Sequence, residues 1–216
     1  MAVRSRSGNP PRQIVYLEEM LSRAGIPSGQ WDLVLVGDGS GSKWTSPCGW
    51  SVVLADRRTR QFHHFHGAAS PASVNFAEAI PYLHALTWFD SQFGKTRLRE
   101  QMGLRVVVIT DSQVIARWGA QATNVAVPVP DKQRMIWASV RELARAGYQF
   151  QFRWAARDTS SLNKFADVVA ARSRRAVMEA EPPFGQSDRE ALGSLRFLDP
   201  ETEEEIRIDH LNPWRT

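Results

Sequence analysis

Asp38, Glu78, Asp111 and Asp167 are the side chains of this sequence whose types and positions could do chemistry together. Four carboxylates gathered within a few ångströms repel one another and raise one another's pKa values, so such a group is seldom stable without cations. Hard divalent ions relieve that repulsion. Magnesium prefers oxygen ligands and keeps several waters. A pair of such ions about 4 Å apart can activate an attacking water and stabilise a leaving oxygen, the chemistry of in-line phosphodiester hydrolysis. The arrangement depends on whether the chain's elements can carry four distant acids to one place.

The elements permit it. Residues 33–37 are apolar on both alternating faces and run into DGSGS, which predicts a buried central strand with Asp38 at its end. Strands over 49–55 and 61–67, separated by DRRTR, complete an antiparallel meander. Residues 73–93 place Phe76, Ile80, Leu83 and Leu86 at helical spacing, and Pro81 is expected to distort the first turns or move the helix start later. RVVVIT at 105–110 is a second buried strand, reached by a right-handed crossover, with Asp111 at its end. A short helix over 113–119, a loop, a helix over 131–146, a strand over 148–154 and a helix over 161–179 follow. The order βββαβααβα predicts an α/β fold, a five-stranded mixed sheet flanked by helices. Asp38 and Asp111 then meet at one sheet edge, where ligands of open α/β sheets bind. Glu78 and Asp167 join them if their helices cover that edge.

Taken singly, each acid has a structural reading. Asp38 can shape a turn, Asp111 can cap a helix, and Glu78 and Asp167 can be solvated helix positions. Their joint placement in one consistent topology favours the cluster.

In their local context, VGDGSGS around Asp38, NFAEA around Glu78, ITDSQVI around Asp111 and SLNKFADVVA around Asp167, the sequence resembles the type 1 ribonucleases H over about residues 31–178. Asn163, Ala166, Asp167 and Ala170 fall at family-like offsets, and Asn75 stands three residues before the glutamate. The resemblance implies a ribonuclease H-like fold and hydrolysis of the RNA strand of RNA/DNA hybrids by two Mg²⁺ ions, with Mn²⁺ as a substitute. Asp38, Glu78, Asp111 and Asp167 would be both the catalytic residues and the metal ligands. Asn75, Gly39, Ser40, Ser112, Asn163 and Arg157 would contact substrate. Asn75 would do so near the 2′-hydroxyls, which distinguish RNA from DNA. A helix-capping role for Asn75 remains equally open.

Two departures stand out. Arg157 occupies the place of the histidine usual in the loop before the last helix; it stays charged where histidine can shuttle a proton, and lower turnover is expected. Residues 119–130 are short and uncharged where many bacterial members carry a basic, Trp-containing helix that grips the hybrid. Grip would then come from Arg4, Arg6 and Arg12 in the N-terminal arm, from the body, or from a partner. His63, His64 and His66 are better read as packed or solvated strand residues than as ligands. Among the tryptophans, Trp44 and Trp118 are the expected stacking candidates.

Charge supports a polyanionic partner. Residues 181–216 carry nine acidic and four basic side chains, so the +4 chain has a body of +9 over 1–180. The expected organisation is a basic arm and short helix over 1–30, a catalytic domain over 31–180, and an acidic extension over 181–216 with a possible hairpin turning at Asp199 and Pro200. Protein partners could engage the arm or the tail. No apolar run is long enough to span a membrane, and lone Cys48 can form no internal disulfide. An intracellular, cytoplasmic or nucleoid-associated protein is expected. Competing readings are a DNA-acting nuclease of the same superfamily, for which DxE or a bare aspartate would be commoner than DGSG, and an inactive nucleic-acid or protein-binding module, against which all four acids stand.

Overall fold

Every position from Leu33 to Val36 carries an aliphatic side chain and is buried, so this strand needs cover on both faces. The computed structural model describes residues 21–22, 24–27, 29–41, 47–57, 59, 61–69, 74–100, 103–124, 131–157 and 161–179, with the segments 197–198, 205–206 and 209–210. Strands β1 (Leu33–Ser40), β2 (Cys48–Asp56) and β3 (Gln61–Ala69) form an antiparallel meander. Helix α1 (Val74–Glu100) crosses over to β4 (Arg105–Thr110), which pairs parallel to β1. Helices α2 (Gln113–Thr123) and α3 (Asp131–Arg145) lead to β5 (Gln149–Trp154), parallel to β4, and α4 (Ser161–Glu179) follows. The mixed sheet runs β5-β4-β1-β2-β3, as the element order predicts.

The tail adds to it. β6 (Phe197–Leu198) pairs antiparallel with β7 (Glu205–Ile206), and β8 (Asp209–His210) lies parallel to the outer edge of β3 as a sixth, two-residue strand. The arm with Arg4, Arg6 and Arg12, most of the expected first helix, Trp44 and most of the acidic extension lie outside the described residues. No helix among the described residues is long and apolar enough to cross a membrane.

Three helices share one face. There Leu35, Val52 and Phe65 pack with Leu86 and Phe89 of α1, Ile115 of α2 and Trp137 of α3. The opposite face carries α4, whose Leu162, Phe165 and Val169 meet Val36, Val53 and Ile109, joined by Leu21, Ile26 and Trp31. Burying these side chains contributes roughly 1.5–3 kcal/mol each against exposure. Asp32 accepts from Arg105 Nε and Nη2, both at 3.1 Å, and from the Arg105 backbone N–H at 2.8 Å, which ties the start of β1 to the start of β4.

Several boundaries differ from expectation. β1 runs to Ser40, so Asp38 lies inside the strand, opposite Ser51 of β2, and not in a loop after it. α1 runs through Pro81 from Val74 to Glu100. Proline 81 supplies no N–H to the carbonyl four residues back, that of Ala77. Gly39 explains why the same turn can press on the sheet: a Cβ there would stand 2.3 Å from the Ala77 oxygen. α2 continues past Gly119 to Thr123 because that glycine terminates nothing; the Phe152 ring fills the space where its side chain would be.

The second helix that carries an acid also approaches through a glycine. A Cβ on Gly49 would meet the Ala170 carbonyl oxygen of α4 at 2.1 Å and the Arg174 nitrogen at 2.4 Å. Backbone atoms cannot swing aside as a side chain can. Gly49→Ala should therefore lower unfolding stability by roughly 1–3 kcal/mol, read as a lower urea midpoint with an unchanged slope.

Candidate metal centre

The parallel pairing of β1 with β4 sets Asp38 and Asp111 at neighbouring strand ends. Tyr82 of α1 fastens the two strands just behind them: its Oη lies 2.7 Å from the Gly37 carbonyl oxygen and 2.9 Å from that of Ile109, and donates across both. Tyr82 is fully buried, and burial holds its phenol well above the usual range. One helical turn earlier, Glu78 enters the same corner.

Asp38, Glu78 and Asp111 come together there, each offering an oxygen within 4.8 Å of the others. Asp38 and Glu78 are buried and Asp111 is half-buried. The Gly39 N–H donates to Asp38 Oδ1 at 2.9 Å, while Asp38 Oδ2 and Glu78 Oε2 are buried with no donor. Asp167 stands beside the trio and not within it, in hydrogen-bonding reach of Asp38. The donor set is all oxygen, anionic and short of hydrogen bonds, which suits a hard divalent cation.

Burial raises the Asp38 carboxyl to about 7, helped by the negative charge of Asp111 and the contact with Asp167, against a lowering by Arg157. Burial likewise raises Glu78 to about 9, with Asp38 and Asp111 adding repulsion. Arg157 is the counter-charge. Its Nε donates to Asp111 Oδ2 at 2.8 Å and its Nη1 lies 3.9 Å from Asp167 Oδ1. The bond to Asp111 raises its own pKa further.

The other expected contacts have varied placements. Asn75 is half-buried in the first turn of α1, three residues before Glu78. Ser40 ends β1 and is half-buried. Gly39 is buried beneath the Ala77–Glu78 backbone, so its role is to admit α1, with no surface left for substrate. Ser112, and not Asp111, caps α2, its Oγ accepting from the Ile115 N–H at 3.4 Å. Asn163 is buried in the first turn of α4. Trp118 is half-buried and packs against the core under α1 to α3. The histidines are packed: His63 lies against Trp88, and His64 lies against His66 and Phe165 with Nε2 2.9 Å from Ser51 Oγ.

Sequence reasoning did not single out Tyr82, Gly49 or Trp154. Tyr82 reads as one more aromatic on a helix, and Gly49 as a strand residue. The Trp154 indole N–H donates to the Asp111 carbonyl at 2.9 Å. Its one visible cue was its place three residues before Arg157.

The raised carboxyls fix a pH dependence. Between the ordinary carboxylate range and about 7 for Asp38, or about 9 for Glu78, the folded chain holds protons that the unfolded chain has released. This stabilisation is complete below the ordinary range and is lost as pH rises through those values. Without added divalent ions, the Tm contribution of these groups should fall from pH 5 to pH 9. Glu78→Gln should flatten the upper part of that fall. Divalent-ion affinity should rise over the same interval with release of protons, measurable by calorimetry in buffers of different ionisation enthalpy.

No protein-family model matches the chain. No curated protein matches it. Among solved structures, it is similar to LC11-RNase H1, isolated from compost by a metagenomic approach, with 19% identity, a TM-score of 0.51, and coverage of 68% of this chain and 98% of that one. The same protein in complex with an RNA/DNA hybrid gives 19% identity, a TM-score of 0.53, and coverage of 68% and 99%. The sheet order β3-β2-β1-β4-β5, with helices on both faces, accounts for that likeness, and by it the chain has the ribonuclease H fold.

Proposed function

We propose that this protein is a metal-dependent endonuclease that hydrolyses the RNA strand of RNA/DNA hybrids. The observation that carries the reading is the oxygen-only trio Asp38, Glu78 and Asp111, two of them buried and Asp111 half-buried, with two carboxylate oxygens left without donors. Asp167, beside Asp38 on α4, would complete the ligand set. Two Mg²⁺ ions, or Mn²⁺ in their place, would supply an activated water and stabilise the leaving oxygen.

The chain's own residues do the rest. The β1–β4 pair, fastened by Tyr82, holds Asp38 and Asp111 at fixed separation, and the close approach of α1 over Gly39 holds Glu78 against them. Arg157, already on Asp111, would hold a phosphate oxygen with its planar fork. Asn75, beside Glu78 on α1, is assigned to the 2′-hydroxyl, a group that only the RNA strand offers. Ser40 and Asn163 are the remaining assigned contacts, while Gly39 and Ser112 serve by shaping the backbone around the acids. LC11-RNase H1, of the same fold, has been solved with an RNA/DNA hybrid, which supports this choice of substrate.

End-labelled RNA/DNA hybrid, duplex DNA, duplex RNA and single-stranded RNA, incubated with Mg²⁺ and then Mn²⁺, provide the test. Hybrid-selective cuts leaving 5′-phosphates are expected. Asp111→Asn should reduce them by at least roughly 100-fold, since even indirect partners of metal ligands cost 10–100-fold. Cleavage of duplex DNA in preference to hybrid would point to a DNA nuclease. Metal binding without any cleavage would leave a binding module. Arg157→Ala should lower kcat/KM on the order of 100-fold, the scale of losing one donor to a developing oxyanion. Arg157→Lys should recover part of it, because lysine keeps the charge and loses the fork.

A further inference from the structure

Large apolar side chains are exposed at four described positions: Val74 at 44%, Trp154 at 49%, Val168 at 46% and Met178 at 56%. Three of these are near the acids, two in sequence and one through a hydrogen bond. Val74 begins α1 one turn before Glu78, Val168 follows Asp167 on α4, and Trp154 is hydrogen-bonded to the Asp111 backbone. Of the three, Trp154 is the aromatic one and is bonded to an acid of the cluster, and an exposed ring held beside a charged centre suits a ligand that is anionic at one point and apolar beside it.

Trp154 differs from the other described tryptophans. Trp31, Trp50 and Trp137 are fully buried, and Trp88 and Trp118 pack on the core. At the end of β5, paired with Thr110, Trp154 keeps half its surface in water while its N–H bond to Asp111 fixes one edge of the indole. A ring held at one edge loses little further freedom when something packs on its open face. Positive charge lies close by, since Arg157 is bonded to the side chain of the same Asp111 whose backbone carbonyl holds the indole. An aromatic face beside guanidinium groups is how proteins hold nucleic-acid strands without reading sequence.

We propose that Trp154 is a nucleotide-packing residue, its exposed indole face lying against the sugar and base edge of the nucleotide next to the phosphate held at the carboxylates. This assignment rests on the nuclease reading above and adds to it a contact that tolerates any sequence.

The test is binding of a fluorescein-labelled RNA/DNA hybrid, followed by anisotropy in Ca²⁺, whose irregular coordination disfavours the ordered geometry that hydrolysis needs. Trp154→Ala should weaken binding roughly 10-fold or more, the scale of losing one stacked contact. Trp154→Phe should stay within about 3-fold of wild type, because the ring face is retained although the N–H donor is lost. Divalent-ion affinity, measured by calorimetry without nucleic acid, should be unchanged in both variants. Phenylalanine as weak as alanine, with metal affinity lowered in both, would show that the residue acts by positioning Asp111 and would overturn the proposal. An alanine variant that binds like wild type would also overturn it, and would leave the nuclease reading intact. Wild type that binds metal but no hybrid, duplex or single strand would instead remove the nuclease reading itself.

Discussion

Like charges held close together in a poorly solvated corner set the terms for the rest of this structure. Asp38 and Glu78 are buried, face Asp111, and have oxygens without donors, so the ionised cluster opposes the fold that creates it. The surrounding elements resist its relaxation. Tyr82 joins β1 to β4 immediately behind the acids, and Gly39 and Gly49 let two helix backbones reach the sheet with no side chain between. Arg157 brings a positive charge to Asp111 and Asp167. A preformed group of anions costs stability, but it removes most of the reorganisation that a flexible set of ligands would need to gather around a cation.

The parts of this arrangement written as periodicity and strand ends were legible in the sequence. The apolar run at 33–37 and RVVVIT announced two buried strands, and parallel pairing placed Asp38 and Asp111 together. Other features depend on contacts between elements distant in sequence. Nothing local to Gly119 reveals that the Phe152 ring occupies the space beside it, and Gly119 read as a helix end for that reason. Pro81 was expected to disturb α1, yet the turn it weakens is the one that Gly39 accommodates, 42 residues earlier in the chain. Asp167 was grouped with the other three acids on the condition that its helix covers the same sheet edge, and in space it stands at their side, next to Asp38. Trp118 was singled out because it lies close to Asp111 in sequence; the helix packs it half-buried against the core, and Trp154, farther along the chain, is the more exposed ring.

The face of the sheet under α4 shows how one surface serves both stability and chemistry. Toward the start of β1, Val34 and Val36 meet Ala55 and Val53 of β2 in an apolar layer. Toward its end the same face turns polar, with Asp38 opposite Ser51 and Ser51 opposite His66, while His64 bonds Ser51 diagonally. Period-two alternation keeps these residues on one side. The hydrophobic layer anchors α4 firmly enough that the polar end can be left incompletely satisfied.

Arginine at position 157 changes what governs this centre. A histidine there would exchange its proton near neutrality and make the local positive charge depend on pH. Arg157 stays charged, and its bond to Asp111 strengthens that preference. In the metal-free chain the groups of this corner that titrate nearer neutrality are therefore the carboxyls, which burial and mutual repulsion raise to about 7 for Asp38 and about 9 for Glu78. A permanent guanidinium also cannot return a proton to a leaving group, so its contribution is limited to holding negative charge in place. Divalent-ion binding at this centre would consequently follow the ionisation of the acids that would hold the ion, with no second titrating group in the loop beside them.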